Sequence, residues 1–438
     1  GGSVVIEGTR VAEVGSTADI IARHPDADVL DATGCIVTPG LVNAHQHLTG
    51  DPLVRCCIPD HLVSDESIFG WVVPIHEVHG SDDDRLSATV ASVEAVAHGV
   101  TTLVEPGTVG DGDAVIEAML DVGVRGVVGV WGWDVEDGPF TGPVDEVLDR
   151  QRAHVERHAP DGERLVEGWV SLVGHGLASD ELWAGASDLA RSLGSGFNFH
   201  MSPAESDTTT YRERTGLAPF VHLDRLGVLG SHCLVGHGVW LDDDEVELVV
   251  GHDVAVACCP WAYLRLAQGI TRAGRHEQLI DRGARVALGC DSANAGDTDD
   301  VLRAAALLAG LARDRALDPG RLGADAVFEL ATIGGAHAIG MGDRIGSLEP
   351  GKQADLVVHR TDRAGGFPVG DLAHHLVWGT DGRSVRDVLV AGRRVVDDGR
   401  VVTVDETALR HEAAARRDDL LRRAGLELTP RWPDVDAR

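Results

Sequence analysis

Two histidines that could share one metal ion stand near the start of the chain. They are His45 and His47, which close the run Pro39-Gly-Leu-Val-Asn-Ala-His-Gln-His. In an extended strand alternate side chains point to the same face, so both imidazoles can reach one ion from the end of one strand. Imidazole is the commonest metal ligand in proteins, and this spacing indicates a metal site if further ligands join it.

Three more residues with metal or acid–base chemistry follow, each at the end of a β-branched run. His200 lies in Phe197-Asn-Phe-His-Met, His237 lies between two glycines, and Asp291 follows Ala287-Leu-Gly-Cys. A buried carboxylate needs a cation or a hydrogen-bond donor, and flanking glycines let a metal or substrate approach closely. The sequence therefore predicts that these residues converge with the first histidine pair.

Short β runs alternate with amphipathic helical stretches along the middle of the chain, which is typical of parallel βα units. The runs are Ile36–Asn43, Thr101–Glu105, Arg125–Trp133, Val166–Gly174, Gly196–Met201, Cys233–Gly238, Val254–Pro260 and Arg285–Cys290. The helical stretches include Asp82–His98, Val144–His158, Asp180–Leu193, Asp243–Gly251 and Arg275–Arg282. Eight such units predict an α/β fold, a (β/α)8 TIM-type barrel, whose chemistry gathers at the C-terminal ends of its strands.

The two flanks of the chain have a different pattern. Residues 3–14 predict a hairpin with Gly8 near its turn, and residues 345–404 hold further short β runs. Neither piece closes a core alone, so we expect two halves of one small β-sandwich. The expected order is a first sandwich half in 1–38, a metal-dependent barrel in 39–344, a second half in 345–404, and a C-terminal helix (Glu406–Ala424) and tail in 405–438.

Composition excludes several classes of partner. A net charge of −32 argues against nucleic acid and against anionic membranes, and no apolar run reaches the ~18–20 residues that span a bilayer. The chain begins at Gly1, and nothing in it is typical of a signal peptide. Seven cysteines without Cys-x-x-Cys spacing predict reduced thiols in the cytoplasm. We expect a cytoplasmic homo-oligomer, a dimer or tetramer, that acts on a small molecule.

Several motifs together are similar to those of a known superfamily. They are Thr38-Pro-Gly-Leu-Val-Asn-Ala-His-Gln-His, Gly99-Val-Thr-Thr, His200, Val235-Gly-His-Gly-Val-Trp-Leu, Val286-Ala-Leu-Gly-Cys-Asp and Gly346-Ser-Leu-Glu-Pro-Gly-Lys-Gln-Ala-Asp-Leu-Val-Val. On these residues the chain resembles the amidohydrolase superfamily, in its triazine hydrolase and cytosine deaminase-like branch. The resemblance implies a deformed barrel, a composite sandwich and one metal ion held by His45, His47, His200 and Asp291. It assigns to His237 the hydrogen bond to the water that the metal activates.

The number of metal ions follows from the lysine content. Binuclear members of this superfamily commonly bridge two ions with a carboxylated lysine on the fourth strand. Here the only lysine is Lys352, in the predicted second half of the sandwich, so we expect one divalent ion per chain. Three histidines and one carboxylate suit Zn²⁺ best, and Co²⁺, Fe²⁺ and Mn²⁺ are acceptable.

The chain departs from the resemblance at two strand ends. Ring deaminases of this branch usually carry a glutamate three residues after the fifth-strand histidine, where this chain has Pro203, with Glu205 two residues further on. The His-Asn-Pro that usually follows the seventh strand is replaced by Cys258-Cys259-Pro260. These departures favour a substrate that needs no proton on a ring nitrogen.

The sequence thus leaves two enzyme hypotheses open. The first is hydrolysis of a small urea, carbamate, thiocarbamate or amide carbonyl, with Asp291 as general base and His237 orienting the attacking water. Phenylurea hydrolases and molinate hydrolase are its nearest functional analogues. The alternative is an aminohydrolase or dechlorinase that acts on a purine, pterin or triazine type of N-heterocycle.

Other residues are candidates for substrate binding. His175 ends the fourth strand, Trp131 lies near the end of the third, and Glu205 follows the fifth, so each could line the pocket. The pair His76 and His79 has helical i, i+3 spacing. For this pair the sequence favours a solvated helix face over a second metal site.

Overall fold

The protein is described by a computed structural model, which covers residues 1–135, 138–296 and 298–428. In these residues the strands are β1 (Gly2–Glu7), β2 (Arg10–Ser16), β3 (Cys35–Pro39), β4 (Leu41–Asn43), β5 (Val100–Val104), β6 (Arg125–Val128), β7 (Val166–Gly168), β8 (Val170–Gly174), β9 (Phe197–Met201), β10 (Cys233–His237), β11 (Ala255–Cys258), β12 (Val286–Leu288), β13 (Leu356–Arg360), β14 (Val385–Val390), β15 (Arg393–Asp397) and β16 (Arg400–Val401). The predicted polar tail beyond Leu428 lies outside the described residues.

Helices follow most of the strands. They are α1 (Thr17–Arg23), α2 (Ser64–Ser67), α3 (Val73–Glu77), α4 (Ser81–Ala97), α5 (Gly112–Val122), α6 (Val144–Arg157), α7 (Asp180–Leu193), α8 (Glu205–Thr215), α9 (Pro219–Arg225), α10 (Asp243–Gly251), α11 (Pro260–Arg265), α12 (Ile270–Ala273), α13 (His276–Asp281), α14 (Val301–Ala316), α15 (Ala324–Leu330), α16 (Ile333–Ala338), α17 (Leu372–His374) and α18 (Glu406–Ala424). Short 3₁₀ turns span Asp51–Val54 and Gly382–Ser384, and short π-helical turns span Ile68–Val72 and His375–Gly379. None of the helices in the described part of the chain is both long and apolar enough to cross a bilayer.

The predicted βα units form two parallel sheets, an arrangement consistent with a TIM-type barrel. One sheet has the order β4-β5-β6-β7 and the other β12-β11-β10-β9-β8. The two sheets approach each other at the first and last strands, where Ala44 donates to the Leu288 carbonyl at 2.8 Å and His47 to the Asp291 carbonyl at 2.9 Å. This contact brings the ends of the first and eighth strands side by side.

The structure differs from the sequence prediction at the fourth barrel strand. The predicted run Val166–Gly174 is two strands, β7 and β8, which pair in different sheets. Between them the Trp169 amide donates to the Val128 carbonyl at 3.0 Å, and the chain then turns to pair with β9. Strand pairing in the described residues is therefore divided between two ladders instead of running around one.

The two ends of the chain meet through β pairing. β3 pairs antiparallel with β13 in a five-stranded sheet of order β16-β15-β14-β13-β3. The β1–β2 hairpin places Val4 and Ile6 against Leu356, Val358 and Leu389 of that sheet. In the described residues the two ends thus form a five-stranded sheet with a two-stranded hairpin against it, and the composite sandwich stays a prediction.

The C-terminal helix α18 has the predicted bounds and fixes the long segment after β4. Leu420 and Leu421 pack in one apolar cluster with Leu53, Val54 and Ile75. Burial of such side chains stabilises a contact by roughly 1.5–3 kcal/mol each relative to exposure. The helix therefore holds residues 51–77 beside the strand ends that carry the chemistry.

Candidate metal centre

His45 lies at the end of β4 and is fully buried. Its imidazole occupies space that Gly236 of β10 leaves open, since a Cβ on that glycine would stand 2.5 Å from His45 Cε1. Neither Nδ1 nor Nε2 of His45 has a hydrogen-bond partner among the described residues. Buried polar atoms normally have a partner, so a fully buried imidazole with both nitrogens unsatisfied fits a metal ligand.

His47 is oriented by a chain of hydrogen bonds from the loop after β5. Thr108 Oγ1 lies 2.8 Å from His47 Nδ1 and donates its own proton to Glu105 Oε1 at 3.0 Å. The threonine oxygen must therefore accept the Nδ1 proton, which leaves His47 Nε2 with a free lone pair. Glu105 also accepts the Leu48 amide at 2.6 Å, and burial raises its pKa to about 7.

His200 presents the same type of nitrogen to the centre from β9. Its Nδ1 donates to the Val173 carbonyl at 2.8 Å, so its Nε2 carries no proton in the neutral ring. That Nε2 lies 3.3 Å from His47 Nε2. Two lone pairs facing each other at this distance repel, and a cation between them removes the repulsion.

Asp291 joins these histidines from the residue after the eighth-strand end. Its Oδ1 lies 3.5 Å from His47 Nε2 and 3.9 Å from His45 Nε2. Burial raises the pKa of Asp291 to about 7, and the neighbouring Asp51 carboxylate adds to the rise. A cation at the centre would reverse this shift by favouring the charged carboxylate.

His237 ends β10 beside the other imidazoles. Its ring centroid lies 5.0 Å from that of His45 and 5.4 Å from that of His200, and its Nδ1 has no partner in the described part of the chain. Its carbonyl accepts a hydrogen bond from His276 Nε2 at 2.7 Å, which fixes the backbone. The side chain is thus positioned at the centre while its nitrogen stays available.

Burial keeps these imidazoles neutral. It lowers the pKa of His45, His47 and His237 well below the ordinary histidine value, and it lowers that of His200 to about 3, with neighbouring histidines adding to the effect. Only neutral imidazole binds a metal ion. The donor set of three histidines and one carboxylate therefore fits a divalent ion.

The backbone is strained where these side chains are presented. His175, Ser202, His237 and Asp291 all have positive φ, at 52°, 55°, 83° and 68°. The left-handed region costs a residue other than glycine about 1–3 kcal/mol and is concentrated at functional sites. These four residues stand at strand ends of one parallel sheet, so part of the chain's strained backbone lies where the site side chains are presented.

The three substrate-binding candidates lie in different surroundings. His175 stacks on His200 with ring centroids 5.7 Å apart, and its Nδ1 lies 3.0 Å from Asp207. Burial lowers the pKa of His175, but the Asp207 carboxylate outweighs burial, so the net pKa is raised. Trp131 packs against His76 at 5.1 Å, and Glu205 is exposed at the start of α8. The structure thus places only His175 against a metal-ligand candidate.

The expectation of a solvated face for His76 and His79 is wrong. Both side chains are buried. His79 Nδ1 pairs with Asp84 at 2.9 Å, and His76 lies edge-on to Trp131. The i, i+3 spacing therefore belongs to a packed corner beside the centre.

Sequence reasoning missed three residues of the centre. Glu105 and Thr108 orient His47, and Cys259 has its sulfur within 4.8 Å of ligand atoms of His45, His237 and Asp291. The position of Glu105 directly after the apolar run Val100–Val104 was a usable signal, since strand ends carry the chemistry of this fold. No sequence pattern links Thr108 to a histidine 61 residues earlier.

One family model matches most of the chain, including all the strands that build this centre. It is the amidohydrolase family model, which matches residues 36–395. The chain belongs to the amidohydrolase family. A second model, the bacterial imidazolonepropionase-like composite domain, matches residues 4–27 of this amidohydrolase, where the hairpin and α1 lie.

Relatives align with this amidohydrolase over nearly its whole length. It is 31% identical over 417 residues to a 5-methylthioadenosine/S-adenosylhomocysteine deaminase from Syntrophobacter fumaroxidans. The alignment covers 95% of this chain and 93% of the relative. It is 30% identical over 422 residues to a 5'-deoxyadenosine deaminase from Methanothermobacter thermautotrophicus, with 96% and 95% covered.

Solved structures share the fold. A zinc-bound adenosine deaminase from Xanthomonas campestris superposes with a TM-score of 0.89 at 26% identity and covers 96% of this chain and 93% of its own. An atrazine chlorohydrolase from Arthrobacter aurescens, complexed with zinc and atraton, superposes with a TM-score of 0.85 at 24% identity and covers 94% of each chain. Together with the family match, these findings identify a metal-dependent enzyme that hydrolyses C–N bonds.

Proposed function

We propose that this amidohydrolase releases ammonia from the amino group of a purine-type heterocycle, with one zinc ion at the centre. The observation that carries the hydrolytic part is the facing pair of Nε2 atoms of His47 and His200, 3.3 Å apart. The heterocycle part is supported by two relatives at 30% identity or more, named as deaminases of 5'-deoxyadenosine and of 5-methylthioadenosine or S-adenosylhomocysteine. It corresponds to the alternative that the sequence left open.

Four side chains would hold the ion: His45, His47, His200 and Asp291. When bound, a divalent ion lowers the pKa of a coordinated water towards neutrality and polarises the atom under attack. Zinc is proposed ahead of cobalt, iron and manganese because two solved structures with this fold contain zinc and because zinc suits nitrogen ligands with an open position.

Two side chains would move and orient protons. Asp291 would take the proton of the attacking water and return it to the departing ammonia, since its carboxylate is buried among the imidazoles. His237 would orient the attacking water and stabilise the negative charge that develops on its oxygen as it adds to the ring carbon. Its Nδ1 is available for this contact, because it has no other partner among the described residues.

The ring itself must be bound beside these groups. We assign that contact to His175, which stacks on His200 and is held by Asp207 at 3.0 Å. Glu205, the other candidate, is exposed at the start of α8 and would have to turn inward on substrate binding. The proposal therefore gives His175 the larger role in substrate affinity.

A second candidate function is the hydrolysis of an acyclic urea, carbamate, thiocarbamate or amide. Two observations favour it: Pro203 stands where ring deaminases of this branch usually carry a glutamate, and Glu205 is exposed. An acyclic carbonyl needs no proton on a ring nitrogen, so Asp291 and His237 would suffice.

The test is ammonia release from a defined substrate panel by the zinc-loaded protein. The panel holds adenosine, 5'-deoxyadenosine, 5-methylthioadenosine, guanine and an amino-triazine, beside a phenylurea and a thiocarbamate. We expect ammonia from one or more amino-heterocycles and no turnover of the acyclic compounds, with Asp291→Ala as the inactive control. Turnover of the acyclic compounds with inert heterocycles would replace the proposal by the second candidate.

A further inference from the structure

Cys259 lies in the centre, although the proposed reaction assigns it no role. It directly follows β11 and is fully buried. One ligand atom each from Cys259, His45, His237 and Asp291 lies within 4.8 Å of the others. His45 and Asp291 are also proposed ligands, so the sulfur belongs to the same centre and not to a separate site.

The surroundings of Cys259 hold its backbone and leave room for its sulfur. Its amide donates to Tyr263 Oη at 2.8 Å. Gly289, just before the eighth-strand end, lacks the side chain that would meet the sulfur, because a Cβ there would stand 2.8 Å from Cys259 Sγ. The same Cβ would stand 2.8 Å from His45 Cβ, so this glycine lets the sulfur and His45 approach each other.

Unsatisfied nitrogens around the sulfur point to a ligand. His45 has two buried nitrogens and His237 has one without a hydrogen-bond partner among the described residues. A thiol buried only for packing has apolar neighbours, whereas this one shares its space with two imidazoles and a carboxylate. Histidine, cysteine and carboxylate together are the ligands that zinc prefers.

We propose that Cys259 Sγ is an additional metal ligand of the centre, beside His45 and Asp291. This inference rests on the metal centre of the proposed function and deepens it. A thiolate is a soft ligand, whereas manganese prefers oxygen ligands. The centre should therefore favour zinc over manganese in binding affinity more strongly than a set of only histidines and a carboxylate would. The Cys258-Cys259-Pro260 segment, which replaces the usual His-Asn-Pro after the seventh strand, would then supply a new metal ligand.

Cobalt(II) reports a thiolate bond without reference to turnover, because sulfur-to-cobalt charge transfer gives an intense near-ultraviolet absorption band. We would load the metal-free wild-type protein, Cys259→Ala and the matched control Cys258→Ala with cobalt(II), and record absorption spectra and bound cobalt per chain. Cys258 is the adjacent buried cysteine and is not part of the four-residue set. We expect the band in the wild type and in Cys258→Ala, and its loss in Cys259→Ala.

A measurement on the unmutated zinc protein guards against a variant that fails to fold. X-ray absorption at the zinc edge should show one sulfur at about 2.3 Å, the usual zinc–thiolate distance. Bound cobalt without the charge-transfer band, together with a zinc edge that shows only nitrogen and oxygen, would overturn the inference and leave the metal centre intact. A protein that binds no cobalt or zinc would overturn the inference and the proposed centre together.

Discussion

Two fully buried histidines in different regions of the molecule have opposite hydrogen-bonding states. In the composite sheet His359 has both nitrogens occupied, with Thr38 Oγ1 3.2 Å from Nε2 and Ser384 Oγ 3.0 Å from Nδ1. At the strand ends neither nitrogen of His45 has a partner in the described residues. Each unsatisfied buried polar atom costs about 1–3 kcal/mol. The sheet histidine completes a structural network, whereas the strand-end histidine is one part of a binding site.

The same contrast exists within the centre. His47 and His200 each have Nδ1 anchored by a protein oxygen and Nε2 directed at the other ring. The anchored nitrogens resemble those of His359, and the facing nitrogens resemble those of His45. The chain therefore fixes the orientation of these rings, and their remaining nitrogens are the ones that the proposed ion would bind.

Among the variants that keep the metal, the largest effect on turnover should follow the replacement of His237. His237→Asn should lower turnover by roughly 10²–10⁴, the range of a lost acid–base partner, while the bound metal stays near the wild-type amount. Turnover and metal content of the same preparation are the measurements. Loss of the ion would show that His237 is a metal ligand and would contradict its role as an acid–base partner.

A smaller effect should follow removal of the group that anchors His47. Thr108→Val keeps the shape of the side chain but removes the hydroxyl 2.8 Å from His47 Nδ1. We expect zinc affinity to fall by about 10- to 100-fold, the usual cost of losing such a partner, measured by competition with a chelator. Thr102→Val is the matched control, because that buried hydroxyl has no partner among the described residues. Equal effects of the two variants would show that the anchor does not matter.

Replacement of Glu205 separates the two candidate functions. On the second candidate, an acyclic carbonyl that needs no proton on a ring nitrogen, Glu205→Gln should change kcat/KM by less than about tenfold, under ~1.4 kcal/mol on the barrier, since the side chain is exposed. Glu213→Gln, an exposed glutamate on the same helix, serves as the control. A loss of about three decades with the metal retained would identify Glu205 as the proton carrier to the ring.

Replacement of His359, the histidine of the composite sheet, should change the pH dependence of the free energy of unfolding at acidic pH and leave turnover unchanged. Burial lowers the pKa of His359 to about 4, below the ~6.5 of the unfolded chain. Between these values the unfolded state binds a proton that the folded state does not, so the free energy of unfolding falls as pH decreases from ~6.5 to ~4. His359→Gln should flatten this fall by at most about 3 kcal/mol, measured by denaturant unfolding at several pH values. An unchanged slope would contradict the assignment.

Much of the fold was predictable from local pattern. The helices Asp180–Leu193 and Glu406–Ala424 have the predicted bounds, because each begins after a side chain that caps its first turn and ends at a glycine with positive φ. The break in the fourth strand was not predictable. It depends on which neighbour each half pairs with, and nothing in the sequence of Val166–Gly174 divides this β run in two.

The residues of the centre that stand at strand ends were predictable from the sequence, whereas the contacts made between different βα units were not. His45, His47, His200, His237 and Asp291 all stand at strand ends, and the structure brings them together. The anchor on His47 and the sulfur beside His45 come from other βα units, so they depend on the assembled sheets. The buried state of His76 likewise depends on Trp131, which lies edge-on to it from the segment after β6.

Metal analysis of the purified protein tests the central claim most directly. After loading with zinc and removal of excess metal, elemental analysis should find one equivalent per chain in the wild type. In Asp291→Ala it should find much less metal, and turnover should be lost. In His359→Gln it should find the wild-type amount. Two equivalents per chain, both needed for activity, or a wild-type protein that is active after complete removal of metal, would contradict the account.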